Sequence, residues 1–497
     1  MPTSRPSAAP TPVPARGAPP QRAAARLLPG GFWGRLLPVL ALLALVTRAP
    51  SFARPLWNPD EGFLATQARQ LEAGGVLYET VVDRKPPLLP WLYEGAFAVF
   101  GDGSLWPLRA AAVAAVLTGA VLLASLARRR WGDRAGVLAG VCYVLVSVGL
   151  VPEDTQAATF EVFMLPWTVL AMWCADRGRW AGAGLAVAAA ALTKQTGGAV
   201  LLPVLWLLWQ SRGGGRAAVR LLGAAALPVA AAALALGPGR LLFWTVTGSG
   251  DYASVDGAAA HAALRAAANS ALLVGGCLPV VLAARYARRR PGGAADVWVW
   301  LAASTAAVTV GFQFFGHYFL QLTPALALLA ASALQHLRRQ ALSAALVVQG
   351  LVTAAFLLWA MLAPYGELAH QQRLAAEIRS RTVPSERVLL WGMHPETYWL
   401  ADRAPASRYL TAGFLTNFSG GRGGVRVGER YAMDGAWPYF EGELRRDPPA
   451  LVVDDSRGKP YAVRHTPTLR EFLGRHYERA GTVGGAVLYV RAQPPAG

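Results

Sequence analysis

The chain has 497 residues, 54% of them hydrophobic and only 15% charged, with a formal net charge of +18. Apolar runs of about 18–22 residues rich in Ala, Leu and Val recur along it, which excludes an ordinary soluble domain and indicates repeated membrane spans. The positive charge is no nucleic-acid signature, because the arginines sit in short loops between apolar runs, where positive-inside topology places them.

Residues 1–27 are rich in Pro, Ala and Arg without an apolar pattern and read as a disordered, basic cytoplasmic tail. The first apolar run starts near Phe32 and no small-residue cleavage site follows it, so a cleavable signal peptide is not expected. Eleven spans are predicted, near 32–48, 106–127, 135–151, 159–175, 181–193, 196–210, 218–236, 266–285, 296–315, 318–335 and 341–362, with the N-terminus inside. The inside loops "ARRRWGDR", "DRGRW", "SRGGGRAAVR", "RYARRRPGG" and "HLRRQ" then hold fifteen Arg, and the short outside loops hold only Arg240 and Arg265.

The same rule settles two ambiguous stretches. "PPLLPWLYEGAFAVF" (86–100) is apolar enough to span, but counting it would reverse every later loop. It is therefore read as a helix in the outer interface, with Trp91 and Tyr93 as interfacial residues. Residues 181–210 are read as two short helices with Lys194 at their outer turn. The three cysteines, Cys142, Cys174 and Cys277, fall inside apolar runs and read as small core residues rather than a disulfide framework.

The division that follows is a tail (1–27), a membrane domain (28–363) whose first outer loop covers 49–105, and a C-terminal extracytoplasmic α/β domain (364–497). In the last, short apolar strands such as "RVLLWG", "ALVVDD" and "AVLYVR" alternate with helix-like segments such as "TLREFLGRHYERAG". No internal repeat is evident, which counts against a secondary transporter.

The first outer loop gathers charge beside very apolar sequence. "NPDEGF" places Asp60 and Glu61 at the start of a helical stretch, "EGFLATQARQLEAGG", in which Phe63, Leu64, Ala68 and Leu71 share a face. An acid there is favoured by the helix dipole and held in a fixed direction. Of 47 basic residues only three are lysine: Lys85, Lys194 and Lys459. A lysine kept in so arginine-rich a chain suggests a compact charge for a phosphate, and two of the three fall at the outer face. The next outer loop, "VPEDTQAATFEVFM", carries Glu153, Asp154 and Glu161, the last just entering a span. Acids and lysines at one face point to a reaction with an anionic lipid. The lysines would hold a phosphate and a carboxylate would activate a hydroxyl. His317 and Tyr318 begin a later span on the same side; Arg69 reads as a local ion-pair partner, and Asp83 is left between Arg84 and Lys85.

Taken together, Asp60-Glu61, "RKPPLLPWLY" (84–93), "FEVFMLPW" (160–167), "ALTKQTG" (191–197) and "GHYFLQLTPALALLA" (316–330) resemble the GT-C superfamily of integral-membrane glycosyltransferases. The likeness is greatest to the bacterial branch with lipid A aminoarabinose transferases and protein O-mannosyltransferases, in the manner of glycosyltransferase family 39. It covers the N-terminal two-thirds of the chain. The resemblance implies an outward-facing site in the plasma membrane, a polyprenyl-phosphate-sugar donor and an acceptor hydroxyl it does not identify. It also implies Asp60 as catalytic base and Lys85 on the donor phosphate; Glu61, beside the base, is read as orienting either the acceptor or Asp60. The second-loop acid maps to Glu161, with Glu153 and Asp154 as alternatives. Lys194, His317 and Tyr318 complete the candidate donor-binding set. No cofactor is expected; a divalent cation held by the carboxylates stays open, although no zinc-like His/Cys cluster appears. The reading is an inverting glycosyltransferase, and the alternative is a transporter or flippase of lipid-linked sugars that performs no transfer.

Overall fold

The protein is described from a computed structural model covering residues 31–248, 258–288, 294–418 and 425–492; the expected N-terminal tail lies outside these. The first part of the chain is helical: α1 (Phe32–Arg48), α2 (Pro59–Glu72), α3 (Leu88–Phe100), α4 (Trp106–Trp131), α5 (Asp133–Val146), the single turn α6 (Pro152–Thr155), α7 (Phe160–Ala175), α8 (Trp180–Thr193), α9 (Leu201–Gln210), α10 (Gly214–Leu236) and α11 (Pro238–Thr245). It continues with α12 (Ala259–Gly276), α13 (Leu278–Ala287), α14 (Ala295–Thr309), α15 (Thr323–Leu334) and α16 (Arg339–Leu362). Ala- and Leu-rich runs have strong helix propensity, and proline or glycine marks their ends. Pro107 opens α4, and Gly132, at φ +97°, closes it in a conformation that side chains rarely adopt.

Five of the described helical stretches are long and apolar enough to cross a membrane, and a sixth counts if a bent pair is one span. The protein is thus a polytopic helical membrane protein. Helices lie at each of the eleven expected spans, but several are shorter than a bilayer-crossing helix: α7 has 16 residues and α8 has 14, about 24 and 21 Å long. At the middle of the bundle, α15 has all but one of its twelve residues buried. At its edge, α10 and α16 expose Leu227, Leu234, Leu351 and Leu362, an apolar surface suited to lipid rather than water.

One expected span is corrected. Residues 266–285 are not a single helix; α12 and α13 meet at 88° around Cys277. Pro279 at the start of α13 supplies no backbone donor to the previous turn. Gly276 lies against the Gly149 backbone so closely that a Cβ would meet its carbonyl oxygen at 2.2 Å. The buried Gln349 side chain donates to the Gly276 carbonyl at 2.9 Å, satisfying a group that the bend releases.

The C-terminal part begins with α17 (Gly366–Arg381) and continues through β1 (Arg387–Trp391), α18 (Glu396–Ala401), β2 (Ala404–Pro405), α19 (Gly413–Thr416), α20 (Ala436–Arg446), β3 (Leu451–Asp454), α21 (Pro467–His476), β4 (Tyr477–Val483) and β5 (Ala486–Arg491). The sheet has the order β2-β1-β3-β5-β4. β1 runs parallel to β2 and β3, while β5 is antiparallel to β3 and β4. Leu374 and Ile378 of α17 pack with Val388, Leu390 and Leu488 on one face of the sheet. The expected helical segment "TLREFLGRHYERAG" is half right: the helix stops at His476, and Tyr477 onward forms the hairpin strand β4.

This unit seats directly on α2. The Thr66 hydroxyl donates to Pro395 O at 3.2 Å, and Arg69 Nη1 donates to Trp399 O at 3.1 Å. Gly62 touches Glu396 so closely that a Cβ at position 62 would lie 2.1 Å from the Glu396 Cβ. Gly62→Ala is therefore expected to cost about 1–3 kcal/mol through overpacking. The effect would be read as a lowered unfolding temperature in detergent; a wild-type melt would contradict the contact.

Candidate active site

The site is built largely from the two loops that follow α1 and α5. Asn58 caps α2, its side-chain oxygen accepting the Glu61 N–H at 3.1 Å. Asp60 stands in the first turn with its side chain 41% exposed, and its Oδ2 lies 4.0 Å from His317 Nε2. The other imidazole nitrogen, Nδ1, sits 2.7 Å from Asp154 Oδ1. A carboxylate only accepts, so this contact places a proton on Nδ1 and turns Nε2 toward Asp60. The ring is held flat against Phe315, at 5.6 Å and 6°, and edge-on to Tyr318.

Beneath Asp60 the cluster is buried. Glu161 opens α7 and forms an ion pair with Lys194, which closes α8. The Lys194 ammonium also lies 3.7 Å over the Tyr318 ring. Lys85 stands over the Phe160 ring at 4.8 Å, and the Tyr78 hydroxyl fixes its carbonyl at 2.6 Å. The charges of Glu161, Lys85 and Asp60 all act on the Lys194 ammonium, which places the four groups in one neighbourhood. Gln195, next to Lys194, donates to the Arg84 carbonyl and joins the two lysine-bearing segments. Asp83 lies in this group too. Burial pushes its carboxyl up to about 6, the Lys85 ammonium opposes the rise, and the Asp60 carboxylate adds to it.

Asp60, Lys85, Glu161, Lys194, His317 and Tyr318 are thus brought together from segments more than 250 residues apart. Glu61 is the exception: it turns into the protein, away from this group. Its carboxylate is fully buried; one oxygen accepts the Ala158 N–H at 2.7 Å, and the other accepts Trp57 N–H at 2.7 Å and Arg109 Nη2 at 3.3 Å. Both oxygens are engaged inside the fold, and the carboxylate has no exposure through which a substrate could reach it. The signal for this was present in the spacing Asn58-x-x-Glu61, the pattern of a helix capping box. Sequence reading also passed over Arg109, which donates to the Pro55 carbonyl at 2.8 Å as well as pairing with Glu61. Arg69 is an ion-pair partner, but not a local one: it pairs with Asp102 and with Asp402 of the C-terminal unit.

Among the described residues, side chains at metal-ligand spacing lie elsewhere, at Glu367, His370 and Asp455 in the C-terminal unit. Arg457 pairs with both carboxylates, at 2.8 and 3.3 Å, so a guanidinium already supplies the positive charge there. The cluster around Asp60 combines an exposed base, a histidine anchored by a second acid, and two lysines. That set suits deprotonation of a hydroxyl next to a bound phosphate.

Residues 84–236 match the family model described as dolichyl-phosphate-mannose-protein mannosyltransferase. The chain is 33% identical over 223 residues to the undecaprenyl phosphate-alpha-4-amino-4-deoxy-L-arabinose arabinosyl transferase of Pseudomonas aeruginosa, a match covering 41% of this chain and 38% of that protein. It is 32% identical over 201 residues to the protein of the same name from Pseudomonas paraeruginosa, covering 36% and 35%. The matches thus span little more than a third of those relatives. The fold extends further. It superposes on the crystal structure of ArnT from Cupriavidus metallidurans bound to undecaprenyl phosphate with a TM-score of 0.63 at 16% identity, covering 94% of this chain and 99% of that one. The apo form of the same protein gives 0.62, also at 16% identity, covering 93% and 98%. The chain is thus similar over residues 84–236 to the dolichyl-phosphate-mannose-protein mannosyltransferase family, and it shares the fold of ArnT.

Proposed function

We propose that the protein is a glycosyltransferase that moves a sugar from a polyprenyl-phosphate donor to an acceptor hydroxyl at the outer face of the plasma membrane. The observation that carries this reading is the approach of Asp60 Oδ2 to His317 Nε2 at 4.0 Å, beside the Lys85 and Lys194 ammonium groups. The relatives named for undecaprenyl-phosphate-linked arabinose transfer, and the likeness to a structure holding undecaprenyl phosphate, support the choice of donor. The fifteen inside arginines support an N-terminus in the cytoplasm and a C-terminal unit outside it.

In the proposed reaction the acceptor oxygen attacks the anomeric carbon while its proton passes to the Asp60 carboxylate. The bond from anomeric carbon to phosphate oxygen breaks, and the electron pair leaves with the polyprenyl phosphate. Attack opposite the leaving group inverts the anomeric centre. A phosphate leaves readily, so the step needs charge stabilisation more than a general acid, and Lys85 supplies it. Lys194 is committed to Glu161 and acts by holding the surrounding field. His317, anchored by Asp154, is placed to share the proton that Asp60 collects.

Asp60→Asn keeps size and removes the base. Transfer measured with undecaprenyl-phosphate donors and a membrane-extract acceptor is expected to fall by about 10²–10⁴-fold, with donor binding unchanged. Transfer at the wild-type rate would overturn the assignment, and a flippase would show that indifference. Lys85→Ala removes a charge-assisted contact worth about 1.5–3 kcal/mol. The donor KM is expected to rise by about 10-fold or more; an unchanged KM would take Lys85 off the phosphate.

A further inference from the structure

A cavity lies apart from the Asp60 cluster. It lies at the seam between α2 and the C-terminal unit, encloses about 600 Å³, and is lined by residues of α2, α18, α20 and the Arg403–Arg408 stretch around β2. Its character is unusual for a chain that is 54% hydrophobic. Five arginines line it, Arg69, Arg387, Arg403, Arg408 and Arg446, against three carboxylates, Asp402, Glu443 and Asp447.

The pairing inside the cavity leaves positive charge over. Arg408 is matched by Glu443, Arg387 by Asp447 and Arg69 by Asp402. Arg403 is buried, and among the described residues its guanidinium meets only neutral oxygens: Thr382 Oγ1 at 2.8 Å, Thr382 O at 2.6 Å, Asp402 O at 2.8 Å and Ala401 O at 3.3 Å. Arg446 is exposed, and no carboxylate among the described residues pairs with it. A buried cation without a counter-charge is costly. A second, unpaired guanidinium at the rim of the same recess concentrates positive potential where walls of low dielectric focus it. Arginine forks match the oxygens of phosphate groups. The neighbouring edge of the sheet adds polar backbone, since β2 is the outermost strand.

We propose that this cavity is a binding site for a multiply charged anion, of the class of a phosphate or diphosphate group, separate from the donor phosphate at Lys85. The site joins α2, which carries Asp60, to the C-terminal unit, so the bound anion clamps that unit to the helix. Such a group can come from a phosphate-bearing glycan or lipid headgroup, or from free inorganic phosphate. The proposal does not depend on the transfer reaction.

Inorganic tripolyphosphate serves as the probe, titrated calorimetrically into the full chain in detergent at low salt. The wild-type protein is expected to bind it saturably. Arg446→Glu combined with Arg387→Glu should weaken binding at least tenfold. Asp447→Asn removes a competing carboxylate and should tighten it several-fold, a direction that misfolding cannot mimic. Lys85→Ala should leave the titration as it is. No saturable binding by the wild type, equal binding in the Arg446/Arg387 variant, or loss of binding in Lys85→Ala alone would each overturn the proposal. The source is read in the transfer assay: an Arg446→Glu variant with a raised acceptor KM identifies an acceptor-borne phosphate, and a rate that responds to added inorganic phosphate identifies the free ion.

Discussion

One buried carboxylate holds the loops around the Asp60 cluster together. Glu61 has no exposure, yet it joins three parts of the chain: the segment leading into α2 through Trp57 N–H, the loop after α5 through Ala158 N–H, and α4 through Arg109. A carboxylate inside a membrane protein is tolerable only if its charge is matched and its oxygens are bonded, and both conditions are met. The neighbouring residue inherits the benefit. Asp60 is held by the same capped helix turn, but its side chain is 41% exposed.

The same economy recurs around the site. Arg48, at the end of α1, donates to the Thr155 carbonyl, and Asn58 donates to the Glu153 carbonyl at 3.0 Å. The loop after α5, which supplies Asp154 and leads into Glu161, is thereby fixed by the loop after α1. Tyr93 of α3 donates to the Ala158 carbonyl at 2.7 Å and closes the arrangement from a third side. The site is pre-organised by contacts between loops, which is what charge stabilisation of a developing phosphate requires. The C-terminal unit completes it by packing on the far flank of α2, where Gly62 leaves no room for a side chain.

Much of this was legible in the sequence, and the reasons are physical. Apolar runs and arginine placement follow from the bilayer, so helices appear near every expected span. The scarcity of lysine singled out Lys85 and Lys194, and both lie in the cluster. What stayed hidden depends on contacts distant in sequence. Asp154 was only one of three acids in its loop until the fold brought His317 to it from 163 residues away. Glu61 and Asp60 are adjacent and alike on paper, and only packing decides which one turns inward. The bend at Cys277 rests on the meeting of Gly276 with Gly149, and the end of α21 on strand pairing at Tyr477 with Arg491, neither of which a local pattern reveals.

The central claim is that the first-loop base and the Lys85 ammonium serve one bound donor. A structure of the protein with undecaprenyl phosphate tests it most directly. The account predicts the phosphate within hydrogen-bonding reach of Lys85 Nζ, with the Asp60 carboxylate facing the position of the sugar carbon and the lipid tail leaving between helices. A phosphate seated on the inside arginine loops, or on the side of α2 away from Asp60, would contradict it.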